Sequence, residues 1–102
     1  MKWERTERFH ADYRRLNREQ RRLFRIAVQK MNAEARLPAT GGLPTFPDSL
    51  RIESLSGAPG VYAMTWSFSG PDGRATFEYV TIDGELGIRW RQIGDHRIYD
   101  NP

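Results

Sequence analysis

The chain has 102 residues, no cysteine and a net charge of +3. That length suits one domain around one core, and without thiols neither a disulfide framework nor a thiolate zinc site can form, so a cytoplasmic protein is expected. Two histidines, His10 and His96, are too few for a dedicated transition-metal centre, and neither a metal nor a cofactor is expected.

The charge is unevenly spread. Residues 1 to 37 hold 11 Lys/Arg against 5 Asp/Glu, whereas residues 38 to 102 hold 5 against 8. A basic half of this kind suits phosphate or an acidic protein partner, and equally a solvated helix face. The opening MKWERTERFH is charged from its second residue, and no apolar run approaches the roughly 18 residues of a membrane span, so no membrane association is expected.

From Thr6 to Leu16 the apolar residues Phe9, Tyr13 and Leu16 recur at spacings of four and three, which predicts a helix. A second helix follows at once. Asn17 is a good N-cap, and Gln20 three residues later completes a capping box in NREQ. Leu23, Ala27 and Met31, with Phe24 and Ile26 beside them, form its apolar stripe, and Arg18, Arg21, Arg22 and Arg25 fall mainly elsewhere. The two segments read as a helical hairpin. LPATGGLPTFPDS, residues 37 to 49, has three prolines and two glycines and reads as an ordered surface connection.

Four strand-like runs follow: RIESL (51 to 55), VYAMTWSF (61 to 68), RATFEYVTI (74 to 82) and LGIRWRQI (86 to 93). SGAPG, SGPDG and DGE separate them, which is turn chemistry for antiparallel neighbours. Alternation sorts their faces. Tyr62, Met64, Trp66 and Phe68, then Ala75, Phe77 and Tyr79, then Leu86, Ile88 and Trp90 should pack against the hairpin. The opposite face then carries Ala63, Thr65, Ser67, Arg74, Thr76, Glu78, Arg89 and Arg91, and is expected to be open and cationic. The expected architecture is α+β: a helical hairpin on one face of a four-stranded antiparallel sheet.

No phosphate-cradling glycine loop, HExxH or GxSxG occurs, so chemistry would rest on side chains alone. The guanidinium groups of Arg74, Arg89 and Arg91 suit phosphate because their planar donors engage two oxygens together. His96, Arg97 and Tyr99 follow just after the last strand. Imidazole titrates near neutral pH and a tyrosine hydroxyl can donate a proton or a hydrogen bond. Together these are a minimal kit for cleaving RNA: a base for the 2′-hydroxyl, an acid for the leaving 5′-oxygen, and fixed cations for the charge on phosphorus. Blander readings stand beside this one. Arg89 and Arg91 are also placed to pair with Glu78 or Glu85 across strands, and His96 and Tyr99 fit an ordinary surface tail.

The order of elements, with LRIESLSGAPGVYAMTWSF and then GRATFEYVTIDGELGIRWRQIGDHRIY, resembles the RelE/ParE superfamily of bacterial type II toxin–antitoxin toxins. The resemblance spans residues 6 to 99, is strongest from 50 to 99, and rests on patterning. It implies the fold just described, sometimes joined by a short N-terminal strand, for which Met1 to Glu4 is the candidate. It also implies a ribosome-dependent mRNA endoribonuclease that cuts in the A site, held inactive in a complex with a cognate antitoxin. Arg74 matches the family's phosphate-binding arginine, His96 the basic or histidine position after Gly94, and Tyr99 the C-terminal tyrosine. Arg51 sits near where ribonuclease members place basic residues. Members of the RelE type hold several lysines around the second strand, whereas this chain has only Lys2 and Lys30. Its arginine and histidine set is nearer to the YoeB and HigB style, with Glu53, Glu78 and Asp95 as available acids. The ParE branch, similar in fold, inhibits gyrase without cleaving RNA and lacks the C-terminal histidine and tyrosine.

Overall fold

The computed structural model describes residues 2–39, 41–66, 73–95 and 98. In chain order it forms β1 (Lys2–Arg5), α1 (Glu7–Arg14), α2 (Arg18–Glu34), a 3-10 turn (Asp48–Leu50), β2 (Glu53–Ser54), β3 (Tyr62–Trp66), β4 (Gly73–Ile82) and β5 (Glu85–Gly94). The architecture is α+β, with two helices and a five-stranded mixed sheet in the order β1-β5-β4-β3-β2. The candidate N-terminal strand forms, at Lys2–Arg5, so the helices do not come first in the chain. The expected four-stranded antiparallel sheet needs correction: β1 pairs in parallel with β5, Lys2 opposite Gly87 and Arg5 opposite Trp90, which makes the sheet five-stranded and mixed. The remaining three pairings are antiparallel.

The helices form where local chemistry directs them. The Thr6 side chain accepts from the Phe9 amide, and Asn17 and Gln20 make both hydrogen bonds of the capping box. Phe24, Ala27 and Met31 are the buried stripe of α2, and Leu23 packs partly against it. Ile26 instead stands 47% exposed, because it lies off the 3.6-residue stripe. The hairpin covers one face of the sheet, where Phe9, Phe24 and Met31 join Met64, Ala75, Phe77, Ile88 and Trp90 in one core. Aromatic rings run through it, with Trp90 5.9 Å from Phe9, 5.3 Å from Phe24 and 5.3 Å from Phe77. Among the described residues no helix is long and apolar enough to cross a membrane.

The connection from 36 to 45 is closed by reciprocal backbone hydrogen bonds between Arg36 and Thr45, 2.9 and 2.8 Å long. β2 is shorter than the run from 51 to 55, because Arg51 takes a left-handed conformation (φ 45°) that ends the 3-10 turn before pairing begins. Asp83 and Gly84, with φ of 52° and 79°, make the tight turn between β4 and β5.

A β-bulge changes the last strand. Phe77 pairs with Trp90 and Thr76 pairs with Gln92, so Arg91 is the extra residue. Strict alternation after Ile88 and Trp90 would turn Gln92 inward, but the bulge reverses the phase and Ile93 enters the core at 2% exposure.

Candidate functional site

The face of the sheet turned away from the helices carries Glu4 on β1, Arg89 and Arg91 on β5, Arg74, Thr76 and Glu78 on β4, and Ala63 and Thr65 on β3. Register places Glu4, Arg89 and Glu78 in one cross-strand row. Their side chains meet there. Arg89 donates through Nε to Glu4 Oε1 at 2.6 Å and through Nη1 to Glu78 Oε1 at 2.7 Å, and Arg91 donates through Nη1 to Glu78 Oε2 at 2.9 Å. One carboxylate therefore holds two guanidinium groups. Hydrogen bonds to Glu4 first, and then to Glu78, raise the Arg89 pKa above the ordinary arginine value.

The partner expected for Arg89 and Arg91 was Glu78 or Glu85. Glu78 takes that role, whereas Glu85 lies 3.8 Å from Lys2 instead. Glu4, the second partner of Arg89, is 85 residues away in sequence and becomes a neighbour only because β1 joins the sheet.

Arg74 lies on the same face as Thr76 and Glu78, but the Thr76–Gln92 pair separates it from the ion-pair row. Its Cα is about 14 Å from that of Glu78 at the usual rise of a strand. Arg74 is half-buried, donates to the Gly73 carbonyl at 3.3 Å, and is the register partner of both Thr65 and Gly94. Gly94 is the last residue of β5, so the chain leaves the sheet beside Arg74. His96, Arg97 and Tyr99 lie outside the described residues, as do Ser67 and Phe68. Arg51 is elsewhere: it lines a groove of about 450 Å³ with Phe46, Ile52, Tyr62 and Tyr79, on the side of the sheet that bears the core aromatics. In that groove burial, assisted by Tyr62, pushes the Tyr79 hydroxyl up to about 12.

The outer face is not the open surface expected from alternation. Ala63, Thr65, Thr76 and Gln92 are all under 7% exposed. The bulge is one physical reason, since it turns both Arg91 and Gln92 toward this face and crowds the short Thr76 between them. The Thr76 hydroxyl is buried with no hydrogen-bond partner among the described residues.

Two side chains that sequence reasoning passed over fix the bulged end of β5. β1 stops at Arg5, so among the described residues the edge of β5 beyond Trp90 has no strand to pair with. Thr6 fills the gap: its amide donates to the Trp90 carbonyl at 3.0 Å, and its hydroxyl donates to the Arg91 carbonyl while accepting from Phe9. Asp12 then accepts from the Ile93 amide through Oδ2 at 3.3 Å and from Arg8 through Oδ1. Asp12 is only 7% exposed, and a buried acid on an otherwise amphipathic eight-residue helix was the one signal that could have pointed to it.

A comparison with protein-family models, curated proteins and solved structures returned no match.

Proposed function

We propose that this chain is a toxin of the RelE/ParE kind, a ribosome-dependent endoribonuclease that cuts mRNA in the A site and is restrained by a cognate antitoxin. The observation that carries the reading is the pairing of Arg74 with Gly94 on the face opposite the helices. The arginine that matches the family's phosphate-binding residue is thus opposite Gly94, which precedes His96 by two positions in the sequence. The helical hairpin on one side of the sheet and the short N-terminal strand agree with the same reading.

In the proposed reaction the 2′-oxygen attacks the adjacent phosphorus and the bond to the 5′-oxygen breaks, leaving a 2′,3′-cyclic phosphate and a free 5′-hydroxyl. His96 takes or returns the proton, Tyr99 orients the 2′-hydroxyl or the base, and Arg74 stabilises the charge that builds on the phosphoryl oxygens. Arg91, Arg89 and Arg97 contribute to substrate binding, with Arg51 the basic residue of a separate groove. Fixed ion pairs with Glu78 orient Arg89 and Arg91 and neutralise part of their charge.

That neutralisation favours a second reading, in which the chain is a non-catalytic binder of the gyrase-inhibiting ParE kind or an inactive relative that only binds an antitoxin. The double variant His96→Ala/Tyr99→Phe separates them. On the nuclease reading it relieves growth arrest on expression while the protein stays folded; undiminished toxicity of the folded variant overturns the roles given to these two residues.

A further inference from the structure

The elbow between the two helices concentrates positive charge that no ion pair among the described residues neutralises. Arg14 ends α1, Arg15 caps it, and Arg18 opens α2; all three side chains are exposed. None of them forms an ion pair among the described residues, in contrast to Arg8 with Asp12, Arg22 with Glu19 and the sheet arginines with Glu4 and Glu78. The elbow is also held in shape. Arg21 donates through Nε to the Tyr13 carbonyl at 3.2 Å and through Nη2 to the Arg14 carbonyl at 2.9 Å, which ties the start of α2 to the end of α1.

Local energetics account for only part of this arrangement. Cations at the end of α1 suit its dipole, but Arg18 at the first position of α2 opposes the dipole of that helix, at a cost of about 0.3–1 kcal/mol. A charge placed against local preference and left without an ion-pair partner among the described residues points to a partner outside the fold. Protein interfaces are built around apolar or aromatic anchors, and the elbow offers a poor one: Tyr13 is half-buried with the Arg21 guanidinium 5.5 Å over its ring, Leu16 is buried, and Asn17, Glu19 and Gln20 are polar. Phosphate contacts need no such anchor.

We infer that the α1–α2 elbow, through Arg14, Arg15 and Arg18, docks the phosphodiester backbone of RNA. The choice of RNA over DNA rests on the nuclease reading; the phosphate chemistry does not. With the Tyr13 ring already faced by Arg21, the elbow has no open stacking platform, and contact there is independent of base sequence. Recruitment by charge thus belongs to the helices, and cleavage chemistry to the other face of the sheet.

The test measures binding of a 20-nucleotide 2′-O-methyl oligouridylate, which lacks the attacking hydroxyl, to the full chain between 50 and 200 mM salt. Three proteins are compared: the parent, Arg15→Gln/Arg18→Gln, and Lys30→Gln/Arg36→Gln, which removes the same charge farther along the helical half. Arg21 is left in place so that the elbow keeps its shape. Each phosphate contact adds about 0.7 to the slope of log K against log salt, so losing two lowers it by about 1.4. Over that fourfold change in salt the parent then loses roughly sevenfold more affinity than the elbow variant. The Lys30/Arg36 variant is expected to keep the parent slope. Equal slopes for the two variants, an elbow variant that matches the parent, or no salt-dependent binding by the parent overturns the inference. So does an elbow variant that loses affinity for poly-L-glutamate but not for the oligouridylate, which would assign the elbow to an acidic protein. If the slopes separate as expected while the parent cuts no mRNA in cells, the docking surface stands and the nuclease reading fails.

Discussion

Replacing Asp12 with alanine should destabilise the protein by about 2 kcal/mol, and the cause lies in the bulge. Asp12 Oδ2 is the acceptor for the Ile93 amide, a buried donor at the edge of β5 with no strand beside it among the described residues. Leaving such a donor unsatisfied costs about 1–3 kcal/mol. The accompanying pair with Arg8 adds little, because that guanidinium is 56% exposed and exposed pairs contribute about 0–1 kcal/mol. Alanine returns at most about 0.7 kcal/mol through its better helix propensity. For a domain of this size a loss of about 2 kcal/mol lowers Tm by roughly 8–16 °C. Thermal unfolding measures the whole effect, and hydrogen exchange locates it: the Ile93 amide should lose protection more than amides in the middle of β4. Asp12→Asn keeps a carbonyl acceptor and should cost less than half as much. An Ile93 amide whose protection is unchanged in Asp12→Ala, or equal costs for the two variants, would refute the claim that this carboxylate closes the sheet edge.

Other consequences are sharp enough to measure. A methyl group on Gly87 would stand 2.8 Å from the Lys2 carbonyl and 2.7 Å from Ile82 Cδ1, so Gly87→Ala should pry β1 from β5 and cost about 1–3 kcal/mol in denaturant unfolding; a neutral result would contradict the parallel pairing. Thr76→Val removes a buried hydroxyl that has no partner among the described residues, so stability should stay level or rise by up to about 1 kcal/mol, and a clear loss would show that the hydroxyl is satisfied in solution. Tyr79 binds its proton more tightly in the folded state than an ordinary tyrosine, with a pKa raised to about 12, so its contribution is complete below pH 10 and is lost as pH rises from about 10 to 12. Tyr79→Phe should flatten that part of the stability profile, and an unchanged slope would exclude the residue as its source.

How much of this could be read from sequence depended on the range of the interactions. The helices were legible because their signals are local: the spacing of Phe9, Tyr13 and Leu16, and a capping box whose two hydrogen bonds span three residues. The four antiparallel runs were legible from alternation and turn residues, and Arg74 falls on the face that parity gives it. What escaped was set by contacts between chain ends. The parallel pairing of β1 with β5, and with it the Glu4–Arg89 bond, depends on residues more than 80 positions apart. Alternation also cannot show a bulge, because one inserted residue leaves both halves of the strand in period two. The inward turn of Ile93, the crowding at Thr76 and the need for Asp12 and Thr6 as edge partners all follow from that single insertion at Arg91.

The central claim is that Arg74 serves phosphodiester cleavage on the sheet face away from the helices, and mapping RNA ends after brief induction tests it most directly. The parent chain should produce new 2′,3′-cyclic phosphate ends within ribosome-bound mRNA, and a folded Arg74→Ala variant should lower their yield by about 100-fold or more. Growth arrest by the parent without such ends, or an undiminished yield from Arg74→Ala, would contradict the account.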